Sequence, residues 1–164
     1  MKKFSAVILV ILILISGCAK NDSTFSYESI DKEWSIEIPN QYKKDKEEIE
    51  DDFYHISYRD EEGGIFSITE VVDRDKVLNE ESIEAELEGD SYFHMERKEV
   101  LDIEGIGKVY GGVIEDHATR GYMLYYKLRI NDRIISLLTH KKQPFTLGEE
   151  GRVKSMIGNI KILK

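Results

Sequence analysis

The chain has 164 residues, with 23 Lys and Arg against 32 Asp and Glu and a formal net charge of -9. Its single Cys excludes an internal disulfide framework, and its 41% hydrophobic content excludes a disordered acidic tail. The acidic balance argues against nucleic acid as a partner, because binding to phosphates requires clustered Lys and Arg.

The N-terminus is typical of an export signal. Lys2 and Lys3 precede an unbroken apolar run over residues 6–15, and small residues follow it. A helix over that run would rise about 15 Å, roughly half the thickness of the hydrocarbon core of a bilayer. The segment is therefore predicted to direct export and not to remain as a membrane span.

The tetrapeptide Ile15-Ser16-Gly17-Cys18 resembles the bacterial lipobox, in which an aliphatic residue and two small residues precede a lipidated Cys. The resemblance implies that lipoprotein signal peptidase removes residues 1–17 and that Cys18 carries a thioether-linked diacylglycerol. The alternative is an ordinary secreted protein with a free Cys near its start. Residues 18–26 are short and polar beyond the Cys, and we expect them to act as a tether.

Residues 27–164 are predicted to form one domain, because no repeat or Pro-rich linker divides them. Trp34, Ile36 and Ile38 alternate with polar residues, which predicts a half-buried strand that ends at the following Pro. The charged run over residues 43–52 is predicted to be a solvated loop or an exposed helical turn. Its carboxylates lack the spacing and the Gly of a calcium-binding loop.

The next segments predict a hairpin and a helix. Residues 53–59 and 65–72 are rich in β-forming side chains and flank a turn that contains two glycines. Asn79 then offers an N-cap to a helix that carries Ile83 and Leu87 one turn apart. That helix is predicted to end at a Gly two residues later and to bury only a narrow stripe.

The second half of the chain predicts four antiparallel strands. Residues 99–103 and 108–116 form a hairpin, in which two adjacent glycines indicate a bulge or a close backbone approach. Residues 122–130 alternate in polarity, and their mate over residues 134–140 is apolar on both faces. This last strand is predicted to lie centrally, with helices over both faces of the sheet.

A final helix is predicted from the capping-box pair Thr146 and Glu149. Its apolar face carries Val153, Met156 and Ile157, and a short closing strand is predicted over residues 160–163.

The order of these elements resembles the PsbP-like fold over residues 34–163, beginning with the opening strand Trp34-Ser35-Ile36-Glu37-Ile38-Pro39. The resemblance implies an α+β fold, a mainly antiparallel sheet flanked by helices on both faces in an α/β/α sandwich. Proteins with that fold include a photosystem oxygen-evolution subunit, a nuclear-import factor that binds the Ran GTPase, and many small bacterial lipoproteins. They act mostly as non-catalytic binding or assembly modules. The resemblance therefore favours such a role for this chain, but it does not identify a partner.

The sequence carries no pattern typical of a catalytic site. It lacks a G-x-S-x-G nucleophile elbow, a phosphate-binding loop, and the H-E-x-x-H or C-x-x-C spacing of a zinc site. We therefore predict no catalytic residue and no cofactor. Glu115 and His117 would share one face of a strand and could supply two metal ligands, with a third drawn from elsewhere. The alternative is an ordinary polar strand end that enters a turn.

A candidate contact surface lies on the strand over residues 122–130. Tyr125 shares a face with Lys127 and Arg129, opposite the apolar stripe of the same strand. With Arg120 and Arg133 these residues form a local basic cluster on an acidic chain, which could dock an acidic partner. The alternative is that the basic side chains pair with Asp and Glu of neighbouring strands.

These features predict a lipid-anchored, non-catalytic binding or assembly module that faces outward from a bacterial cytoplasmic membrane, or lies on the outer membrane of a diderm. Its partners would be the membrane, through the anchor, and another extracytoplasmic protein, but not nucleic acid. The alternative is a small-molecule or metal-binding lipoprotein. An enzyme of unrecognised type is disfavoured, because no nucleophile and base are placed together.

Overall fold

The computed structural model describes residues 23–89 and 91–163, in which ten strands and two helices form an α+β fold. The strands are β1 (Thr24–Glu28), β2 (Trp34–Pro39), β3 (Lys43–Glu50), β4 (Phe53–Arg59), β5 (Ile65–Val72), β6 (Phe93–Ile103), β7 (Gly107–Asp116), β8 (Gly121–Ile130), β9 (Arg133–Lys141) and β10 (Lys161–Ile162). The helices are α1 (Glu80–Glu88) and α2 (Leu147–Gly158). No helix within these two ranges is both long enough and apolar enough to cross a membrane. The predicted signal segment and Cys18 lie outside the described residues.

Seven strands form an antiparallel sheet in the order β3-β4-β5-β9-β8-β7-β6. The middle strand is β9, in which Ile135 and Leu137 belong to the main core while Leu138 packs against a second cluster on the other side. The prediction of a central strand over residues 134–140 is therefore confirmed, as are the two predicted hairpins. A strand buried on both faces needs apolar residues at successive positions, which is the pattern that the sequence carries.

The expectation of one sheet is wrong, because β2 lies in a separate three-stranded sheet with the order β1-β2-β10. Trp34, Ile36 and Ile38 of β2 are almost fully buried in the main core. They pack face to face against the seven-stranded sheet instead of extending its edge. Alternating polarity predicts that a strand has one buried face, but it does not say which strands lie beside it.

One helix covers each face of the large sheet. Ile83 and Leu87 of α1 pack on Ile114 and Met123 on one face, while α2 and the small sheet cover the other. The side chain of Asn79 accepts a hydrogen bond from the backbone N–H of Ser82 at 2.7 Å, which confirms the predicted N-cap of α1. The capping box that begins α2 is also confirmed. The predicted fold, a mainly antiparallel sheet with helices on both faces, is thus correct.

The charged run after Pro39 is not a loop or a helical turn. It forms β3, the edge strand of the large sheet, which pairs along its length with β4. Every residue of β3 is exposed, and ion pairs such as Lys44–Glu47 at 2.6 Å line it. Because neither face of β3 is buried, its sequence does not alternate between apolar and polar residues. The usual pattern that predicts a strand is therefore missing. Its charges discourage pairing of this edge with another chain.

Part of the range predicted to be a tether forms a strand instead. Strand β1 begins at Thr24, inside the range expected to be a tether, and pairs with β2 so that Thr24 faces Pro39. The backbone N–H of Asn40 also donates to the carbonyl of Ser23 at 2.9 Å. The sequence did not predict β1 because most of its residues are polar. The strand is stabilised by its pairing with β2 and by the burial of Tyr27.

The glycine pair in β7 marks a close backbone approach, as predicted. A Cβ at Gly111 would lie 1.9 Å from the carbonyl oxygen of Tyr125 on β8. A Cβ at Gly112 would lie 1.8 Å from the carbonyl oxygen of Arg97, beside an irregularity in β6. Only residues without a side chain allow the three neighbouring strands to pair here.

Candidate functional site

Three connecting segments meet at one end of the large sheet. They are the segment between β5 and α1, the turn between β6 and β7, and the turn between β8 and β9. Together they surround an open groove of about 750 Å³, which we call the basic groove. Its charged lining comprises Arg74, Asp75, Lys76, Lys108, Arg129 and Asp132.

The segment between β5 and α1 is held in place by Arg129 of β8. The guanidinium of Arg129 donates to the carbonyl of Asp73 at 2.7 Å and to the carbonyl of Lys76. The carboxylate of Asp73 accepts a hydrogen bond from the N–H of Lys76 at 3.0 Å, which closes a local turn. This wall of the groove is therefore preformed by contacts within the chain.

Two of the four cations that line the groove form no ion pair with a carboxylate of the described residues. Arg74 pairs with Asp132 at 3.2 Å, and Lys76 pairs with Glu86 of α1 at 2.9 Å. By contrast, the guanidinium of Arg129 contacts only backbone carbonyls, and the side chain of Lys108 forms no hydrogen bond or ion pair within residues 23–89 and 91–163, although Asp102 lies opposite it in β6. An acidic group that entered the groove would meet these two cations, although the carboxylate of Asp75 also lines the groove.

An apolar residue stands at the rim of this basic groove. Val77 is 71% exposed, whereas its neighbour Leu78 packs inward against the cluster beneath α1. Tyr110 of β7 also lines the groove and is partly buried. Tyr and Arg are among the residues that are enriched at protein interfaces, and both line this groove beside the exposed Val77.

The three predicted contact residues lie on one face of β8, but this face is mostly covered by α1. Lys127 is 6% exposed, and its ammonium donates to both carboxylate oxygens of Glu86 at 2.5 and 2.6 Å. The hydroxyl of Tyr125 donates to the same carboxylate at 3.0 Å. Burial opposes the ionisation of Glu86, yet the hydrogen bonds from Lys127 and Lys76 hold its pKa at about 2. Of the three residues, only Arg129 reaches the groove.

The wider basic cluster expected around this strand is divided in the structure. Arg120 lies in the turn at the opposite end of β8, with a φ of 55°. Arg133 forms an ion pair with Asp31. Sequence proximity therefore overstated the cluster, because the strand spreads these residues along its whole length.

The two weak metal candidates lie side by side without a third ligand among the described residues. The Nδ1 atom of His117 is 3.9 Å from the Oε1 atom of Glu115, and the ring of His94 stacks on that of His117 at 6.4 Å between centroids. In the part of the chain that the structure describes, no group of three or more His, Cys, Asp or Glu side chains could hold a metal ion.

One cluster resembles the set of residues in a catalytic triad but has a different geometry. The hydroxyl of Thr119 lies 2.5 Å from the Oδ2 atom of Asp116 and 3.0 Å from the Nε2 atom of His140. In a triad the His stands between the hydroxyl and the carboxylate, whereas here the hydroxyl contacts both groups directly. Asp116 also accepts hydrogen bonds from the backbone of Ala118 and Thr119, so the cluster closes the turn between β7 and β8.

Sequence reasoning missed most residues of the basic groove. Lys108, Arg74 and Val77 come from separate connecting segments, and pairing of distant strands alone brings them together. The one local signal is the apolar Val77, which directly follows the charged stretch over residues 73–76.

No known protein family matches the chain in sequence, and no curated protein is detectably similar to it. Solved structures do share its fold. A cyanobacterial PsbP protein, CyanoP of Synechocystis sp. PCC 6803, aligns over 90% of this chain and 96% of its own, with a TM-score of 0.57 and 13% sequence identity. The Ran-binding protein Mog1p of Saccharomyces cerevisiae aligns over 85% of this chain and 95% of its own, with a TM-score of 0.52 and 12% identity. The resemblance to the PsbP-like fold is therefore confirmed at the level of the fold.

Proposed function

We propose that this protein is a lipid-anchored bacterial lipoprotein whose folded domain is a non-catalytic binding or assembly module for another extracytoplasmic protein. The basic groove would receive an acidic segment of that partner. The observation that carries the proposal is the pair of cations, Arg129 and Lys108, which share one preformed groove without a carboxylate partner among the described residues. Such a site is complementary to an acidic surface.

The anchor part of the proposal rests on the lipobox that ends at Cys18. Two acyl chains would make the attachment durable, since a single chain holds a protein only marginally. At about 3.5 Å per residue, the six residues from Cys18 to Thr24 can span at most about 20 Å. The folded domain would then stay close to the bilayer.

The chain enters the domain at one end of the large sheet and the basic groove lies at the other end, which supports a groove that faces away from the membrane. Chain entry at Thr24 lies beside Pro39, at the end of the domain where Phe25 packs on Tyr58. The groove lies at the opposite end, where Asn131 donates to Glu33 just before β2 begins. A strand of ten residues such as β8 is about 33 Å long, so the groove would project away from the membrane.

The comparisons support the same class of function without identifying a partner. One of the solved neighbours, Mog1p, is a Ran-binding protein, so the fold serves protein binding in at least that case. A non-catalytic role is further supported by the geometry around Thr119, whose hydroxyl is used to close a turn. Because one fold hosts many functions, the shared fold alone does not support the proposal. The proposal rests on the charges of the basic groove.

The test is photocrosslinking in the cells that make the protein, in their native membrane. A photoreactive benzoylphenylalanine replaces Val77 at the groove rim, and in a matched control it replaces Leu147, which is 84% exposed at the start of α2. We expect one discrete adduct from position 77 and not from position 147, with the crosslink mapped by mass spectrometry to an acidic segment of one extracytoplasmic protein. Equal adducts from both positions, or none from position 77, would contradict the proposal.

A further inference from the structure

The end of the domain opposite the basic groove is the end at which the chain enters. Strand β1 begins there at Thr24, which faces Pro39 at the end of β2. The next residue, Phe25, packs on Tyr58 with ring centroids 5.4 Å apart, so this entry point lies beside the end of β4. We call this region the entry end. It comprises the loops over residues 40–42, 60–64, 117–120 and 142–146, together with residues 91–92 before β6 and the start of α2.

Backbone and side-chain contacts bring the starts of β6 and α2 to the entry end. The backbone N–H of His117, which directly follows β7, donates to the carbonyl of Tyr92 at 2.8 Å. The ammonium of Lys141, the last residue of β9, lies 2.5 Å from the carboxylate of Glu149 in the first turn of α2. From there α2 runs along the main core toward β10, which pairs with the start of β2 at the opposite end. Tyr92 and Leu147, the first residue of α2, therefore both lie at the entry end.

These two side chains present apolar surface to the surroundings. Leu147 is 84% exposed, and Tyr92 is 57% exposed. Helix α2 packs on the main core through residues of its later turns, and Phe145 packs there just before the helix begins. Packing of the domain therefore leaves Leu147 outside the core. Tyr is enriched at the level of lipid headgroups, and Leu is typical of side chains that enter the boundary between headgroups and acyl chains.

The charges of the entry end permit close approach to a bilayer. Its loops carry the cations Arg120 and Lys142, whose side chains form no hydrogen bond or ion pair among the described residues. The turn between β4 and β5 carries Asp60, Glu61 and Glu62, and the carboxylate of Asp60 accepts hydrogen bonds from two backbone N–H groups of that turn. Two cations thus stand against three carboxylates in these described loops. Contact with a bilayer would depend on the apolar side chains and not on anionic lipid.

We propose that Tyr92 and Leu147 insert into the interface of the bilayer that holds the lipid anchor, so that the entry end of the domain rests on the membrane. This inference rests on the proposed anchor at Cys18. From Cys18 to Thr24 the chain can span at most about 20 Å, which keeps the entry end within reach of the surface. A tether this short holds both side chains at an effective concentration on the order of millimolar, so contacts too weak to bind a free domain suffice.

The test places a Trp at each position and measures its quenching by bromine atoms on lipid acyl chains. The single natural Trp of the chain, Trp34, is buried in the core and gives a constant background. The protein is extracted from its native membrane and reconstituted into phosphatidylcholine vesicles, with and without brominated chains. We expect the fluorescence that Leu147→Trp and Tyr92→Trp add to the background to fall by about half, because interfacial side chains reach about 5–10 Å into the boundary between headgroups and acyl chains.

Val77→Trp is the matched control, because Val77 is similarly exposed but lies at the rim of the basic groove, at the other end of the domain. Brominated chains should leave its fluorescence unchanged. Quenching at position 92 or position 147 that is no greater than at position 77 would overturn the proposal. Flotation of the same vesicles separates this failure from failure of the anchor. Protein that floats without quenching at these positions contradicts the membrane contact alone, whereas protein that does not float contradicts the anchor and the contact together.

Discussion

The hydroxyl of Tyr27 donates to the carboxylate of Glu70 across the interface of the two sheets, with 2.7 Å between the oxygens. Glu70 is fully buried, and its other oxygen accepts a hydrogen bond from the indole N–H of Trp34 at 3.3 Å. Two aromatic donors on the small sheet thus satisfy one carboxyl group on the large sheet. Leaving a buried carboxyl without such donors would cost considerable free energy.

Tyr27→Phe should lower the free energy of unfolding by about 1–3 kcal/mol, because it leaves one oxygen of Glu70 buried without a donor. The matched control is Tyr122→Phe, whose hydroxyl has no hydrogen bond among the described residues and whose loss should cost almost nothing. Urea denaturation at pH 7 measures both variants. Equal stability of the two variants would show that the bond between the sheets contributes little.

Glu70 should also give the stability a characteristic dependence on pH. Burial raises its pKa above the ordinary 4.5, despite the hydrogen bonds from Tyr27 and Trp34. A carboxyl with a raised pKa binds its proton more tightly in the folded state, so its contribution is complete below pH 4.5 and is lost as the pH rises through the folded-state pKa. Glu70→Gln, which cannot ionise, should therefore gain stability relative to the wild type as the pH rises from 4.5 through the folded-state pKa of Glu70. A difference that stays constant over this range, or changes in the other direction, would contradict the assignment.

Glu86 should show the opposite dependence, because its pKa in the folded protein is lowered to about 2. Its stabilising contribution is present above the unfolded pKa of about 4.5 and is lost as the pH falls toward 2. Glu86→Gln leaves the buried ammonium of Lys127 without its carboxylate, and should cost about 2 kcal/mol at pH 7. This is less than the ~3–5 kcal/mol of a fully buried pair, because the side chain of Glu86 is 36% exposed. The difference in the free energy of unfolding between Glu86→Gln and the wild type should become smaller when unfolding is measured at about pH 3.

The fold should not tolerate a methyl group at Gly111. The added Cβ of Gly111→Ala would lie 1.9 Å from the carbonyl oxygen of Tyr125, and neither backbone can move without breaking the pairing of β7 with β8. We expect the free energy of unfolding of Gly111→Ala to fall by at least about 3 kcal/mol, or the variant to fail to fold. Gly151→Ala in α2 is the control, because nothing lies within 4 Å of its Cβ. It should raise the melting temperature by a few degrees at most, as expected for Gly→Ala within a helix.

Much of the fold could be predicted because several elements carry local signals. The apolar residues on both faces of residues 134–140 indicated the central strand, and Asn79 and Thr146 marked the beginnings of the helices. Strands β1 and β3 were missed for a common physical reason. Each is an edge strand with mostly exposed residues, so backbone pairing with a neighbour stabilises it and no pattern of burial reveals it.

The candidate sites were less predictable than the fold. Arg129 was identified from its position opposite an apolar stripe, but the pattern did not reveal that α1 would cover Tyr125 and Lys127 on the same face. Lys108 and Val77 come together only through the order of the strands.

Acylation tests the anchor independently of the folded domain. Cys18→Ser should abolish the incorporation of a labelled fatty acid, because Ser lacks the thiol that forms the thioether. Ser16→Ala keeps a small residue in the lipobox and should leave the incorporation intact. In-gel detection of the labelled protein measures both variants. Continued labelling of Cys18→Ser would contradict the anchor assignment.

The most direct test of the central proposal is charge reversal within the basic groove, read out as the yield of the photocrosslinked adduct from position 77. Lys108→Glu places a carboxylate where the proposed acidic segment would bind, and it should lower the yield at least about fivefold. Lys142→Glu makes the same change in charge on an exposed residue beyond β9, outside the groove, and should leave the yield unchanged. An equal yield from the wild type and Lys108→Glu, with both proteins folded, would contradict the docking of an acidic partner in this groove.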